Sequence, residues 1–157
     1  MKRFWAAAAA CVAFMAAAPA WSKPIPEGGV TVQEVRTWLI DNGYKAQVET
    51  ASDGDQHILS GADGLRFSIF FYDCSKGRCA GVQFYLGFDK GPNTPGIEEV
   101  NAWNRDKRFL KAYLDRDGDL AFEYDANVAP GGTWEALEDD FNVFLSLFPA
   151  AKALANW

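Results

Sequence analysis

Residues 65–88 read LRFSIFFYDCSKGRCAGVQFYLGF, and this stretch decides the fold. Two runs rich in aromatic and β-branched residues, 65–73 and 79–88, flank a short polar segment containing Gly77, which is the pattern of an antiparallel hairpin. A four-residue loop between Cys74 and Cys79 places the two cysteines directly opposite each other, and the rest of the register follows. Phe71 then faces Val82, Ile69 faces Phe84 and Phe67 faces Leu86, all apolar and all on one side. The other side carries Tyr72 against Gly81, Phe70 against Gln83 and Ser68 against Tyr85. Opposed residues have Cα atoms about 4.5–5.5 Å apart, within reach of a disulfide, so a Cys74–Cys79 bond is expected. Closing so short a loop contributes roughly 2 kcal/mol on the loop-entropy view.

Working outward, residues 45–50 and 57–61 read as two further strands, separated by Gly/Asp turns, so a four-strand meander is expected. Before it, Thr31 and Glu34 form a capping box, and Val32, Val35 and Leu39 recur at helical spacing until Asn42-Gly43, giving a helix over 31–42. After it, two prolines within 91–96 interrupt the sheet, and Ile97, Val100 and Trp103 mark a second helix ending near Lys107. Strands over 109–115 and 119–126 follow, joined through Asp117-Gly118. That dipeptide suits a two-residue type I′ turn, which pairs Tyr113 with Phe122 and Phe109 with Ala126. From Thr133, Trp134, Leu137, Phe141, Phe144, Leu145 and Phe148 make a wide apolar stripe on a last helix. Pro149 is expected to end it, leaving 151–157 as a C-terminal tail, helical or frayed. The fold class is therefore α+β, an antiparallel sheet flanked by helices in the order α-β-β-β-β-α-β-β-α.

The N-terminus carries Lys2 and Arg3, an apolar run from Phe4 to Ala18, and Ala18-Pro19-Ala20, the small-residue pattern of signal peptidase sites. Residues 1–20 are expected to be a cleaved export signal and 21–29 an extended lead-in to a domain over 30–150. The run is shorter than the roughly 20 residues of a membrane-spanning helix, so no span is expected in the mature chain. The protein is placed in the periplasm or outside the cell. An oxidising compartment fits pairing of Cys74 and Cys79, the two cysteines left after cleavage.

The 157 residues hold 15 Lys+Arg against 21 Asp+Glu, a net charge of −6, which argues against nucleic acid as the partner. Hydrophobic residues at 49% are enough for a real core. With a single histidine, His57, no His-based zinc centre can form. Calcium chemistry fails on spacing. Counted from Asp115, Gly118 stands fourth and Glu123 ninth, where an EF-hand loop needs them sixth and twelfth. His57 lies at the start of a strand read as an edge, with no Gly-x-Ser-x-Gly elbow to partner it. No phosphate-binding glycine loop occurs, and the acidic residues fall on turns and polar helix faces. No catalytic residue, cofactor or metal site is expected.

The segment Val100-Asn101-Ala102-Trp103-Asn104, continuing through Arg108-Phe109 to Tyr113, Asp115 and Asp117-Gly118-Asp119, resembles the YbjN-domain family, as does the cysteine hairpin running into Gln83-Phe84-Tyr85. The resemblance covers about residues 30–150. It implies a fold like that of type III secretion chaperones and a role as a bacterial sensory-transduction regulator, with no catalytic residues to carry over. Many relatives lack an export signal, which sets this chain apart from a cytosolic regulator.

The reading that results is an exported, noncatalytic binding or chaperone-like module of the bacterial envelope, with a small secreted hydrolase or enzyme inhibitor as the alternative. Its binding surface is expected on the side of the hairpin holding Phe70, Tyr72, Gln83 and Tyr85, because mixed aromatic and polar surfaces suit interfaces. A partner protein or a second copy would dock there. The competing reading has the Trp103 helix cover that side.

Overall fold

The structure is a computed structural model and describes residues 22–157. The expected signal segment and its cleavage point lie outside the described residues. Ten elements follow one another: α1 (Val32–Asp41), β1 (Gln47–Thr50), β2 (Gln56–Ala62), β3 (Leu65–Ser75), β4 (Arg78–Phe88), α2 (Ile97–Asp106), β5 (Lys111–Leu114), β6 (Leu120–Asn127), α3 (Trp134–Ser146) and α4 (Phe148–Ala155). The strands form one six-stranded antiparallel sheet in the order β1-β2-β3-β4-β6-β5. The meander and the α+β class stand as read from the sequence. His57, however, sits on β2, which is flanked by β1 and is not an edge.

In the β3–β4 hairpin Ile69 faces Phe84, Phe71 faces Val82, Phe70 faces Gln83 and Cys74 faces Cys79, which is the register the sequence dictates. The two cysteines are bonded. The second hairpin is a correction. Ala112, not Tyr113, faces Phe122, and Tyr113 faces Ala121. The turn is one residue longer than a type I′ loop because the Asp115 carboxylate accepts the backbone N–H groups of both Asp117 and Asp119, at 2.9 Å each. Asp115 and Asp119 close the loop and Gly118 takes the left-handed φ of 85° that such a loop requires. A one-residue slip reverses the faces of a strand. It turns Ala112 into the core and Tyr113 out of it. Phe109 is also not in the strand, since Leu110, with φ of 61°, breaks the extended backbone before Lys111.

All four helices pack against the same side of the sheet. Phe141 of α3 lies 5.7 Å from Phe67 and 5.3 Å from Phe84, Trp38 of α1 is 5.3 Å from Phe141, and Phe148 of α4 is 6.0 Å from Phe67. Trp103 of α2 packs edge-on at 5.0 Å against Phe122, which faces Leu86 in register and so belongs to that side too. Phe67, Phe84, Phe122, Phe141, Phe144 and Phe148 are all fully buried there. At about 25 cal/mol per Å2, rings of this size dominate the folding energy. The last helix breaks at Leu147, two residues before Pro149. The proline occupies the first turn of α4, where its missing N–H costs nothing. Of the two forms expected for the C-terminal segment it takes the helical one, and it packs on the core, with Ala151 fully buried.

Two clamps tie the segment that leads into α1 to this frame. Thr31 and Glu34 make the expected capping box, and Glu34 also holds Arg78 at 2.7 and 3.0 Å while Arg78 donates to the Gly29 carbonyl. Val30 and Cys79 exchange backbone hydrogen bonds at 3.0 and 2.8 Å. The cysteine hairpin is thereby fastened to the start of α1. A side chain at Gly29 would collide with the Cys79 carbonyl, at 1.9 Å from an added Cβ.

Candidate functional site: the open face of the sheet

With every helix on one side, the other side of the sheet is left uncovered by any helix among the described residues. Register assigns its occupants, since alternate residues share a face. One row across the strands runs Glu49, His57, Phe70, Gln83 and Asp125, and the next runs Gln47, Leu59, Ser68, Tyr85, Glu123 and Lys111. Phe70, Tyr72, Gln83 and Tyr85, singled out from the sequence, lie together as expected. The Trp103 helix does not cover them.

The aromatic groups are arranged edge and face. Phe70 meets Tyr85 edge-on at 5.8 Å and stacks under His57 at 5.3 Å. The polar groups form a chain in which the Tyr72 hydroxyl donates to Gln83 Oε1 at 3.2 Å and Gln83 Nε2 donates to Asp125 Oδ1 at 2.7 Å. Gln83 is 9% exposed, so both ends of its amide need partners, and both have them. Tyr113 donates to Glu123, whose other oxygen takes the Lys111 ammonium. His57 Nε2 lies 3.5 Å from Glu49.

Burial, followed by the charges of Glu123 and Asp125, pushes the Tyr72 phenol up, and burial followed by Asp115, Glu123 and Asp119 does the same to Tyr85. Burial and the hydrogen bond to Glu123 raise Tyr113 as well. The bond to Glu123 holds the Lys111 ammonium above its ordinary range. These phenols stay protonated at neutral pH, and those of Tyr72 and Tyr113 donate within the face, to Gln83 and Glu123. A cleft of about 750 Å3 runs along one end of this face, lined by Arg66, Ser68, Tyr85, Asp119 and Trp157 among others.

The motif residues do a different job. The Trp103 indole N–H donates to the Leu110 carbonyl at 2.7 Å, and the Asn104 amide both donates to and accepts from the backbone of Ala112, at 2.8 and 2.9 Å. Asn104 thus stands where another strand would pair with β5. Phe109 stacks on Tyr124 at 5.9 Å and the Arg108 guanidinium lies 5.1 Å from the Phe109 ring. Asp115, Asp117 and Gly118 shape the hairpin turn, and Asp119 accepts the Lys90 N–H at 2.8 Å. Of these residues, Tyr113 reaches the middle of the open face and Asp119 lines the cleft at its end. Among the described residues no group of three or more His, Cys, Asp or Glu side chains is placed to hold a metal ion.

Sequence reasoning missed His57, Glu123, Asp125 and Lys111 as members of this surface. The alternation along β6 carried a signal for Glu123 and Asp125. Placing them beside Tyr85 and Gln83 required knowing that β6 pairs with β4.

A helix-backed, one-sided antiparallel sheet of this kind defines an α+β class of protein whose free surface is the sheet itself. Residues 31–150 match the family model YbjN, described as "Putative bacterial sensory transduction regulator", and the chain belongs to that family. Among solved structures it is similar to the crystal structure titled "YbjN, a putative transcription regulator from E. coli", with a TM-score of 0.53 and 21% identity over 74% of this chain and 82% of that one. A search of curated proteins finds no match. At that identity the structural likeness speaks to the fold alone.

Proposed function

We propose that this protein is an exported, noncatalytic binding module of the bacterial envelope that holds a partner protein on the open face of its sheet. The observation that carries the reading is the placement of all four helices on one side. It leaves Phe70, Tyr72 and Tyr85 on a surface where aromatic rings are interleaved with satisfied hydrogen-bonding groups, the composition interfaces favour. The E. coli protein is titled "a putative transcription regulator". For this acidic chain, regulation through protein contact agrees better with the charge than DNA contact does. The signal-like N-terminus and the bonded cysteines support export.

The test places a photo-crosslinking side chain at Phe70 and, separately, at Ile97, which is exposed on α2. A discrete protein adduct from Phe70, none from Ile97, and loss of the adduct when Tyr85→Lys is added to a stably folded chain are the expected results. Intact mass of the exported protein should begin at Trp21. Equal adducts from both positions, or none from Phe70, would overturn the reading.

A further inference from the structure

The two edges of the sheet are finished differently. The outer edge of β5 is sealed by Asn104, which occupies both the N–H and the C=O of Ala112. The outer edge of β1 has no neighbouring strand among the described residues. Ala51 donates to Asp55 at 2.8 Å, in the same register as the Glu49–His57 and Gln47–Leu59 pairs, so these residues turn their backbone groups inward to β2. Val48 and Thr50 therefore point theirs outward, as free ladder positions.

We infer that this edge pairs with β1 of a second copy, antiparallel, about a two-fold axis at Gln47. The argument is charge complementarity. Isologous pairing about Gln47 sets Lys45 of each copy opposite Glu49 of the other, twice by symmetry, and brings Ala46 against Val48. Centring the axis on Val48 sets Glu49 against Gln47 and wins no ion pair. Lys45 and Ala46 precede the strand's paired stretch and would be drawn into the new ladder. Glu49 is free enough to take a partner, its side chain being 40% exposed and touching only exposed Gln47 at 3.2 Å and His57 at 3.5 Å. A two-fold axis normal to the sheet keeps both open faces on the same side. The dimer then presents one continuous face, whose partner-binding role is a separate matter.

Sedimentation of the purified protein over micromolar to submillimolar concentrations tests this. The expected result is a monomer–dimer equilibrium that Lys45→Glu and Glu49→Lys each weaken by roughly tenfold, since each turns two attractions into two repulsions. Mixing the two variants should restore association, because each new charge then meets its opposite. Val48→Pro removes an outward N–H that β2 does not use, so it should give a folded monomer, with a lower melting temperature only to the extent that the Val48 side chain packs on the core. A wild-type chain that stays monomeric, a dimer indifferent to the charge changes, or a mixture that fails to reassociate would overturn the pairing. Phe70→Lys with Tyr85→Lys should leave the dimer intact. If that pair dissolves it, the copies meet through their faces and the edge assignment is wrong.

Discussion

The two faces of this sheet are built from the same residue classes to opposite ends. On the covered side, rings meet rings. Phe84 lies 5.3 Å from Phe144 and from Phe141, and none of the three exposes more than 1% of its surface. On the open side two of the rings carry hydroxyls with partners of their own, Tyr72 with Gln83 and Tyr113 with Glu123. The difference teaches that aromatic content alone does not make a core. What makes one is the absence of polar atoms that need water, together with an apolar layer to lie against.

If that contrast holds, the largest effect of a single truncation falls on the covered side. Phe84→Ala should destabilise the fold by about 3–5 kcal/mol in denaturant titration, because neighbours fixed by three strands and α3 cannot collapse into the space. A loss below about 1 kcal/mol would mean that the covered side is not the close-packed one. Next comes the seal on β5. Asn104→Ala leaves the N–H and C=O of Ala112 without their partners, at a cost of about 1–3 kcal/mol, and amide exchange at Ala112 should quicken. Unchanged exchange would show that the amide does not close that edge.

The smallest effect is the alkaline response of the open face. Tyr72, Tyr85 and Tyr113 are all raised in the folded state. Their contribution is fully present below the unfolded phenol value, near 10, and is lost as pH rises from there through the folded values. Melting temperature should therefore fall above about pH 10, and Tyr113→Phe should flatten the fall. The acid limb belongs elsewhere. Burial favours protonated Glu34, yet the Thr31 N–H and Arg78 outweigh it and hold the carboxyl low, so that clamp weakens only as pH drops below the ordinary carboxylate range.

Much of this was legible before any coordinates. The β3–β4 register came from two cysteines and a four-residue loop, and with it the sorting of Phe67, Ile69, Phe71, Val82, Phe84 and Leu86 away from Phe70, Tyr72, Gln83 and Tyr85. Local chemistry dictated that much because a strand's two faces alternate and a short covalent loop leaves one alignment. The β5–β6 hairpin went the other way. Asp117-Gly118 satisfies the dipeptide preference of a two-residue turn, but the Asp115 carboxylate captures two backbone N–H groups and lengthens the loop. A side chain reaching past its immediate neighbours is invisible to a dipeptide rule.

By itself, then, the sequence determined the α+β class, the helix caps, the meander and the two sides of its central hairpin, all consequences of period, turn residues and near neighbours. Tertiary structure alone decided that β6 lies beside β4, which set Glu123 and Asp125 next to Tyr85 and Gln83. It also decided that α2 joins the other helices on the covered side and that one edge is closed by Asn104 while the other is left open. Those outcomes depend on which apolar surfaces find each other across long stretches of chain. Burial is non-directional and carries no local signature of the partner it will choose.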